Sequence, residues 1–184
     1  MNEQLFRHIL APIDGSENSI QAAKTAFRIA RVLSSQVTAL YVVDRTVLKE
    51  VARYANQPPA ETHQEFRHSG RQYLRHLERL AQEAGVRVDR EIREGEPHEE
   101  IVAVADAIGV DLIVMGHVGR RGPRRILIGS VTERVIELAH CPVLVVKTSY
   151  GNSTYQATRA RRFDETVELF REPPSSQRGG SLFQ

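Results

Sequence analysis

An α/β fold, a five-stranded parallel sheet with helices on both faces, is predicted by the way apolar runs and amphipathic segments alternate along these 184 residues. The later runs, Val110 to Met115 and Cys141 to Val146, are almost continuously apolar, as strands covered on both faces must be. The segments between runs repeat their apolar residues at helical spacing. They are long enough to bring each strand back parallel to a neighbour.

Residues 5 to 13 read as the first strand, with Ile9-Leu10-Ala11 buried and Pro12 expected to end the ladder because it lacks an N–H. Asp14-Gly15-Ser16 is a turn and helix-start signal. Ile20, Ala23, Phe27, Ala30 and Leu33 then give the first helix one apolar stripe. Gln36 to Val43 is the second strand, closed by Asp44. Between 45 and 61, Val47, Leu48, Val51 and Tyr54 permit a short helix, and Pro58-Pro59 is expected to end any regular element. From Glu61 to Ala84, Phe66, Tyr73, Leu74, Leu77, Leu80 and Ala81 define the second long helix, and Gly85 stops it as a left-handed cap residue would.

Val86 to Ile92 alternates apolar and charged residues, which predicts a half-exposed strand at a sheet edge. Glu94 to Pro97 is a loop, and Pro97 suits the first turn of the next helix. The buried face of that helix is Ile101, Val102, Ala105 and Ile108, up to Gly109. A fourth strand, a glycine-rich loop, a helix turning Val131, Val135, Leu138 and Ala139 inward, and a fifth strand complete five strands alternating with four helices. One domain is therefore expected over residues 1–148. The extension 149–184 is polar, partly disordered by composition, with Phe163, Val167, Leu169 and Phe170 permitting one short amphipathic helix.

Composition narrows the function classes. Twenty-five basic against 23 acidic residues leave a net charge of +2, too balanced for a general nucleic-acid or membrane-surface binder. No apolar stretch nears the roughly 20 residues of a membrane span, and Met1-Asn2-Glu3-Gln4 lacks a basic-then-apolar leader. The single cysteine, Cys141, excludes an internal disulfide framework and reads as a small core residue. A cytoplasmic location is expected.

The chemistry concentrates in Met115 to Val131. Gly116 and Gly119 punctuate a loop carrying Arg120, Arg121, Arg124 and Arg125, and Gly129-Ser130 opens a helix. Glycines let backbone approach a ribose and phosphate without a Cβ clash. The hydroxyl of Ser130, the amide of Val131 and the positive end of the helix dipole suit a phosphate, with Thr132 a possible helper. The bland alternative is a strand-to-helix connection whose glycines only permit tight turns. The loop contains neither G-x-x-x-x-G-K-[S/T] nor G-x-G-x-x-G, so the lysine that helps phosphoryl transfer in P-loop enzymes is missing. His117 lies within the loop. The seven histidines show no metal-ligand spacing, and no catalytic nucleophile or base stands out.

The spacing Gly116-x2-Gly119-x9-Gly129-Ser130 resembles the nucleotide-binding signature of the universal stress protein family, in its ATP-binding branch. The resemblance extends to Ile9–Ser16, Leu40–Asp44, Gly95–Ile101 and Cys141–Lys147, together spanning residues 5 to 147. It implies a flavodoxin-like or Rossmann-like sheet of order 3-2-1-4-5, of the adenine nucleotide alpha hydrolase type. ATP, carried with Mg²⁺ on its phosphates, would lie across the carboxyl ends of strands one and four, where the order reverses. On the resemblance Pro12, Met115, Gly116, His117, Gly119, Gly129, Ser130 and Val131 line that site. Asp14 would face the nucleoside or metal-phosphate region, unless it is only a helix cap. Val42 would offer backbone to the adenine edge. Arg120 and Arg121 are the better candidates for phosphate pairing, though a charge run of this kind is often only a solvated loop face.

The resemblance further implies a homodimer through the fifth strand, Val143 to Val146, and a nucleotide-dependent regulator acting on an unidentified protein partner. The alternatives are a slow ATPase or adenylyl-transferring enzyme of the same superfamily, and a scaffold that has lost its nucleotide.

Overall fold

The computed structural model describes residues 5–56, 58–119 and 128–147. Its elements are β1 (His8–Ile13), α1 (Glu17–Leu33), β2 (Gln36–Asp44), α2 (Arg45–Ala55), α3 (Pro59–Glu83), β3 (Val88–Gly95), α4 (Pro97–Ala107), β4 (Leu112–Gly116), α5 (Ser130–Leu138) and β5 (Val143–Val146). The strands form one sheet in the order β3-β2-β1-β4-β5, with every neighbouring pair parallel. The expected fold class and strand order are therefore observed. No helix among the described residues is long and apolar enough to cross a membrane.

Alternation along the strands divides the interior into two layers. Ile9, Ala11, Val37, Ala39, Tyr41, Leu112 and Val114 face α1 and α3, where they meet Phe27, Leu74 and Leu77. Leu10, Leu40, Ile113 and Met115 face α4 and α5, where they meet Ile101, Val104 and Val135. Ala22, Ala23, Ala26 and Ala30 are all buried on α1. Their small side chains let that helix lie close against the central strands β1 and β4.

Helix starts follow local chemistry. The Ser16 hydroxyl caps α1 by accepting from the Ser19 amide at 3.2 Å. Asp44 is both the last residue of β2 and the cap of α2, accepting from Thr46 at 2.9 Å and Val47 at 3.1 Å. Pro59 and Pro97 occupy the first positions of α3 and α4, where a missing N–H costs nothing. Gly85 and Gly109 follow α3 and α4 at φ of +71° and +66°.

Several expectations need correction. Residues 45–55 form a full helix, so the described chain has five helices rather than four, and Pro59 starts a helix instead of ending an element. Pro12 sits inside β1, opposite Leu40; β4 partners stop at Leu10, so one flank of Pro12 is already outside the ladder. Gly95, expected in a loop, pairs with Asp44 as the last residue of β3. Ile108 and Leu138, expected on buried faces, are exposed because each falls at a helix end, beyond the sheet that the helix covers. Position 148/149, the expected domain boundary, and the extension lie outside the described residues.

Gly70, buried in mid-α3, lies against the Tyr41 ring, and Tyr41 stacks on Tyr73 with centroids 6.1 Å apart. Exchanging glycine for alanine in a helix normally stabilises by about 1 kcal/mol. Here the new methyl would run into a buried ring that cannot swing away. Gly70→Ala is expected to lower stability by about 1–3 kcal/mol, read from urea denaturation.

Candidate functional site

The chain from β1 leaves through α1 towards β2, whereas β4 enters on the other flank of β1. The carboxyl ends of β1 and β4 therefore diverge, and an open parallel sheet accepts ligands at such a point. Asp14 follows β1 there, and Gly116 ends β4.

Asp14 is half-buried and its Oδ1 accepts from the Ser16 amide at 2.9 Å. It closes the turn before α1 but does not cap the helix, because Ser16 does that. A Cβ built on Gly119 would stand 2.6 Å from Asp14 Oδ2, so Gly119 lies directly against this carboxylate. A Cβ on Gly116 would stand 2.9 Å from the carbonyl carbon of Asn18 and 3.1 Å from its oxygen. The first turn of α1 thus itself requires a glycine at 116. Asn18 is buried, and its Nδ2 donates to the Val118 carbonyl at 3.0 Å. Asp14 and Asn18 grip the two ends and the middle of the tetrapeptide Gly116–Gly119.

The same turn meets the start of α5. The Gly129 amide donates to the His117 carbonyl at 2.7 Å, and a Cβ on Gly129 would meet Val118 Cα at 3.3 Å and the Gly119 nitrogen at 3.6 Å. Gly116, Gly119 and Gly129 are therefore brought together across the loop that separates them in sequence. The Thr132 hydroxyl donates to the Gly116 carbonyl at 2.9 Å, so this side chain ties α5 to β4. Gly129 occupies the cap position of α5, and it has no side chain with which to cap the helix. Ser130 is exposed at the first helical position, and the Val131 side chain is half-buried against the α4–α5 layer. A helix start of this kind leaves amide donors to be satisfied from outside the helix.

His117 is 7% exposed, its amide donates to the Val146 carbonyl at 3.1 Å, and its Nδ1 is buried without a hydrogen-bond partner among the described residues. A buried orphan polar atom is uncommon and costs about 1–3 kcal/mol unless something satisfies it. The Pro12 and Met115 side chains are buried, so these residues reach the crevice only through backbone. β1 pairing with β2 ends at Ile13–Tyr41, whereas β3 pairing continues to Asp44–Gly95. The backbone edge of Val42 that faces β1 consequently lies past the ladder, at the same end of the sheet. Arg120 and Arg121, with Arg124 and Arg125, lie outside the described residues. Asn18 was not anticipated: a polar residue in a first helical turn carries no sequence signal of a partner 100 positions away.

Two ionisable groups are shifted. Glu94, near the end of β3, is held below the usual carboxylate range first by its 2.7 Å hydrogen bond to His63 Nε2, with Arg45 and Arg67 adding to the pull. Burial, reinforced by Asp106 and Asp111, pushes the Cys141 thiol up, so it stays protonated as a packing residue beside the α4–α5 layer. No group of three or more His, Cys, Asp or Glu among the described residues is arranged to hold a metal ion.

Residues 5–147 match the model of the universal stress protein family. The chain is 44% identical over 150 residues to universal stress protein MJ0531 of Methanocaldococcus jannaschii, covering 79% of this chain and 84% of the relative. Among solved structures, MJ0577 of the same organism superposes with a TM-score of 0.70 at 33% identity, covering 80% of this chain and 99% of that one. A universal stress protein solved in complex with cAMP superposes with a TM-score of 0.57 at 25% identity, covering 79% and 99%.

Two outcomes are expected from this geometry. Gly116→Ala should cost about 1–3 kcal/mol in urea unfolding, because its methyl meets helix backbone, whereas Gly119→Ala should cost less than about 1 kcal/mol, because the carboxylate tip of Asp14 can yield. Because its carboxyl is depressed in the fold, Glu94 stabilises fully above the ordinary value of 4.5 and loses that contribution as pH falls through the lowered value. Glu94→Gln should therefore melt below the wild type at pH 7, by no more than about 1 kcal/mol for so exposed a pair, and the difference should close in strong acid.

Proposed function

The chain belongs to the universal stress protein family, and from that premise we propose that it is a cytoplasmic ATP-binding regulator whose output passes through a protein partner. The observation that carries this reading is the uncapped start of α5, set beside the orphaned His117 Nδ1 where β1 and β4 diverge. Buried or terminal polar groups of that kind need a polar partner, and a nucleotide supplies both phosphate oxygens and ring nitrogens. Binding of cAMP by a structural relative supports an adenine nucleotide as the class of ligand.

In this proposal the amides of Ser130 and Val131 and the Ser130 hydroxyl take phosphate oxygens, with Gly119 and Gly129 keeping the approach clear. Asp14 lies towards the ribose or the metal-bearing phosphates, and the backbone edge of Val42 towards adenine. Arg120 and Arg121 pair with the outer phosphates. Mg²⁺ arrives on the triphosphate, since such an ion commonly needs only one or two carboxylates from the protein. The β5 edge, whose four residues are half-buried or exposed, pairs with a second copy of the chain.

Isothermal titration with Mg·ATP tests the site. Ser130→Ala should weaken binding by about 1–3 kcal/mol. Gly129→Val should abolish it by pushing the 117–119 turn away from the helix start, and unchanged affinity in that variant would refute the assignment. Recovery of intact ATP after long incubation separates a regulator from a slow ATPase. Leu144→Arg, a change at an exposed β5 position, should halve the mass seen by light scattering while leaving the melting curve intact.

A further inference from the structure

We propose that Asn18 is the positioning residue of the nucleotide loop, acting through the Val118 carbonyl; the inference rests on the reading above and adds the residue that holds its loop in place. Three contacts from one short stretch of chain converge on the tetrapeptide Gly116–Gly119. The Asn18 backbone leaves no room for a side chain at 116, the Asn18 amide takes the Val118 carbonyl at 3.0 Å, and Asp14 Oδ2 lies against Gly119. The turn is thus held at both ends and at its centre by the β1–α1 connection.

Of these three, only the amide bond sets direction. Packing at 116 and 119 limits how far the turn can move, whereas a hydrogen bond to the Val118 oxygen determines which way that peptide plane faces. The neighbouring carbonyl, that of His117, accepts the Gly129 amide at 2.7 Å. Rotation at Val118 therefore carries over to the residue that opens α5. Asn18 is 3% exposed, so water cannot replace the bond if the side chain is changed. An asparagine kept only for packing or for the helix start would have no reason to reach this carbonyl.

The discriminating variant is Asn18→Asp. It has nearly the same shape, and a carboxylate in the first turn of α1 favours the helix. Burying its charge nevertheless costs stability whatever the role of Asn18, so exchange at the loop is read against exchange of core amides in the same variant. A carboxylate cannot donate to the Val118 oxygen. Hydrogen exchange of the full chain without nucleotide reads the loop directly: the His117 and Gly129 amides should exchange about ten-fold faster in Asn18→Asp at pH 8. Mg·ATP affinity should fall about ten-fold at pH 8. Asn18→Leu, which lacks the donor and carries no charge, should show the same losses.

Unchanged exchange at those amides in either variant would overturn the proposal, as would an acceleration no greater than that of core amides. Wild-type protein that takes up no ATP would count against the functional reading alone, and exchange would still decide the role of Asn18.

Discussion

The structure depends on the contact between the first turn of α1 and the end of β4. There a helix backbone and a strand end approach so closely that only glycine fits at 116, and a buried amide spans the gap to Val118. A buried carbonyl left without a donor would cost about as much as a good hydrogen bond contributes several times over. The contact is therefore made with no slack, and the geometry of the whole glycine turn follows from it.

That contact adds to the β1–β4 ladder a second tie between the two halves of the sheet. β1 and β4 are adjacent in space but separated by 98 positions where Asp14 follows one strand and Leu112 begins the other. Their register partners are confined to Ile9–Leu112 and Leu10–Ile113, so the strands part early. The gap that opens beyond them is framed by Asp14 on one side and by Gly116, His117 and the start of α5 on the other. Thr132 and Gly129 then tie α5 back to β4 and His117.

Much of this was legible from the residues. A continuous apolar run marked β4 as buried, whereas the equally apolar β5 is a half-exposed edge. Alternation marked β3 as an edge, and Ser16, Pro97, Gly85 and Gly109 marked helix limits through dihedral and hydrogen-bond chemistry that is local. The spacing of three glycines and a serine marked a loop whose glycines the fold brings together. Less legible were α2, whose start depends on Asp44 serving strand and cap at once, and the ends of α4 and α5, where apolar Ile108 and Leu138 run past the sheet.

What the sequence alone determined is the α/β class and the family, together with the loop proposed to hold the site, because periodicity, turn chemistry and motif spacing are properties of neighbouring residues. Only the tertiary structure decided what each glycine lies against. Gly116 meets Asn18, Gly119 meets Asp14 and Gly129 meets the turn it closes on. Those partners lie far away along the chain, and nothing short of the folded sheet brings their atoms within a few ångströms.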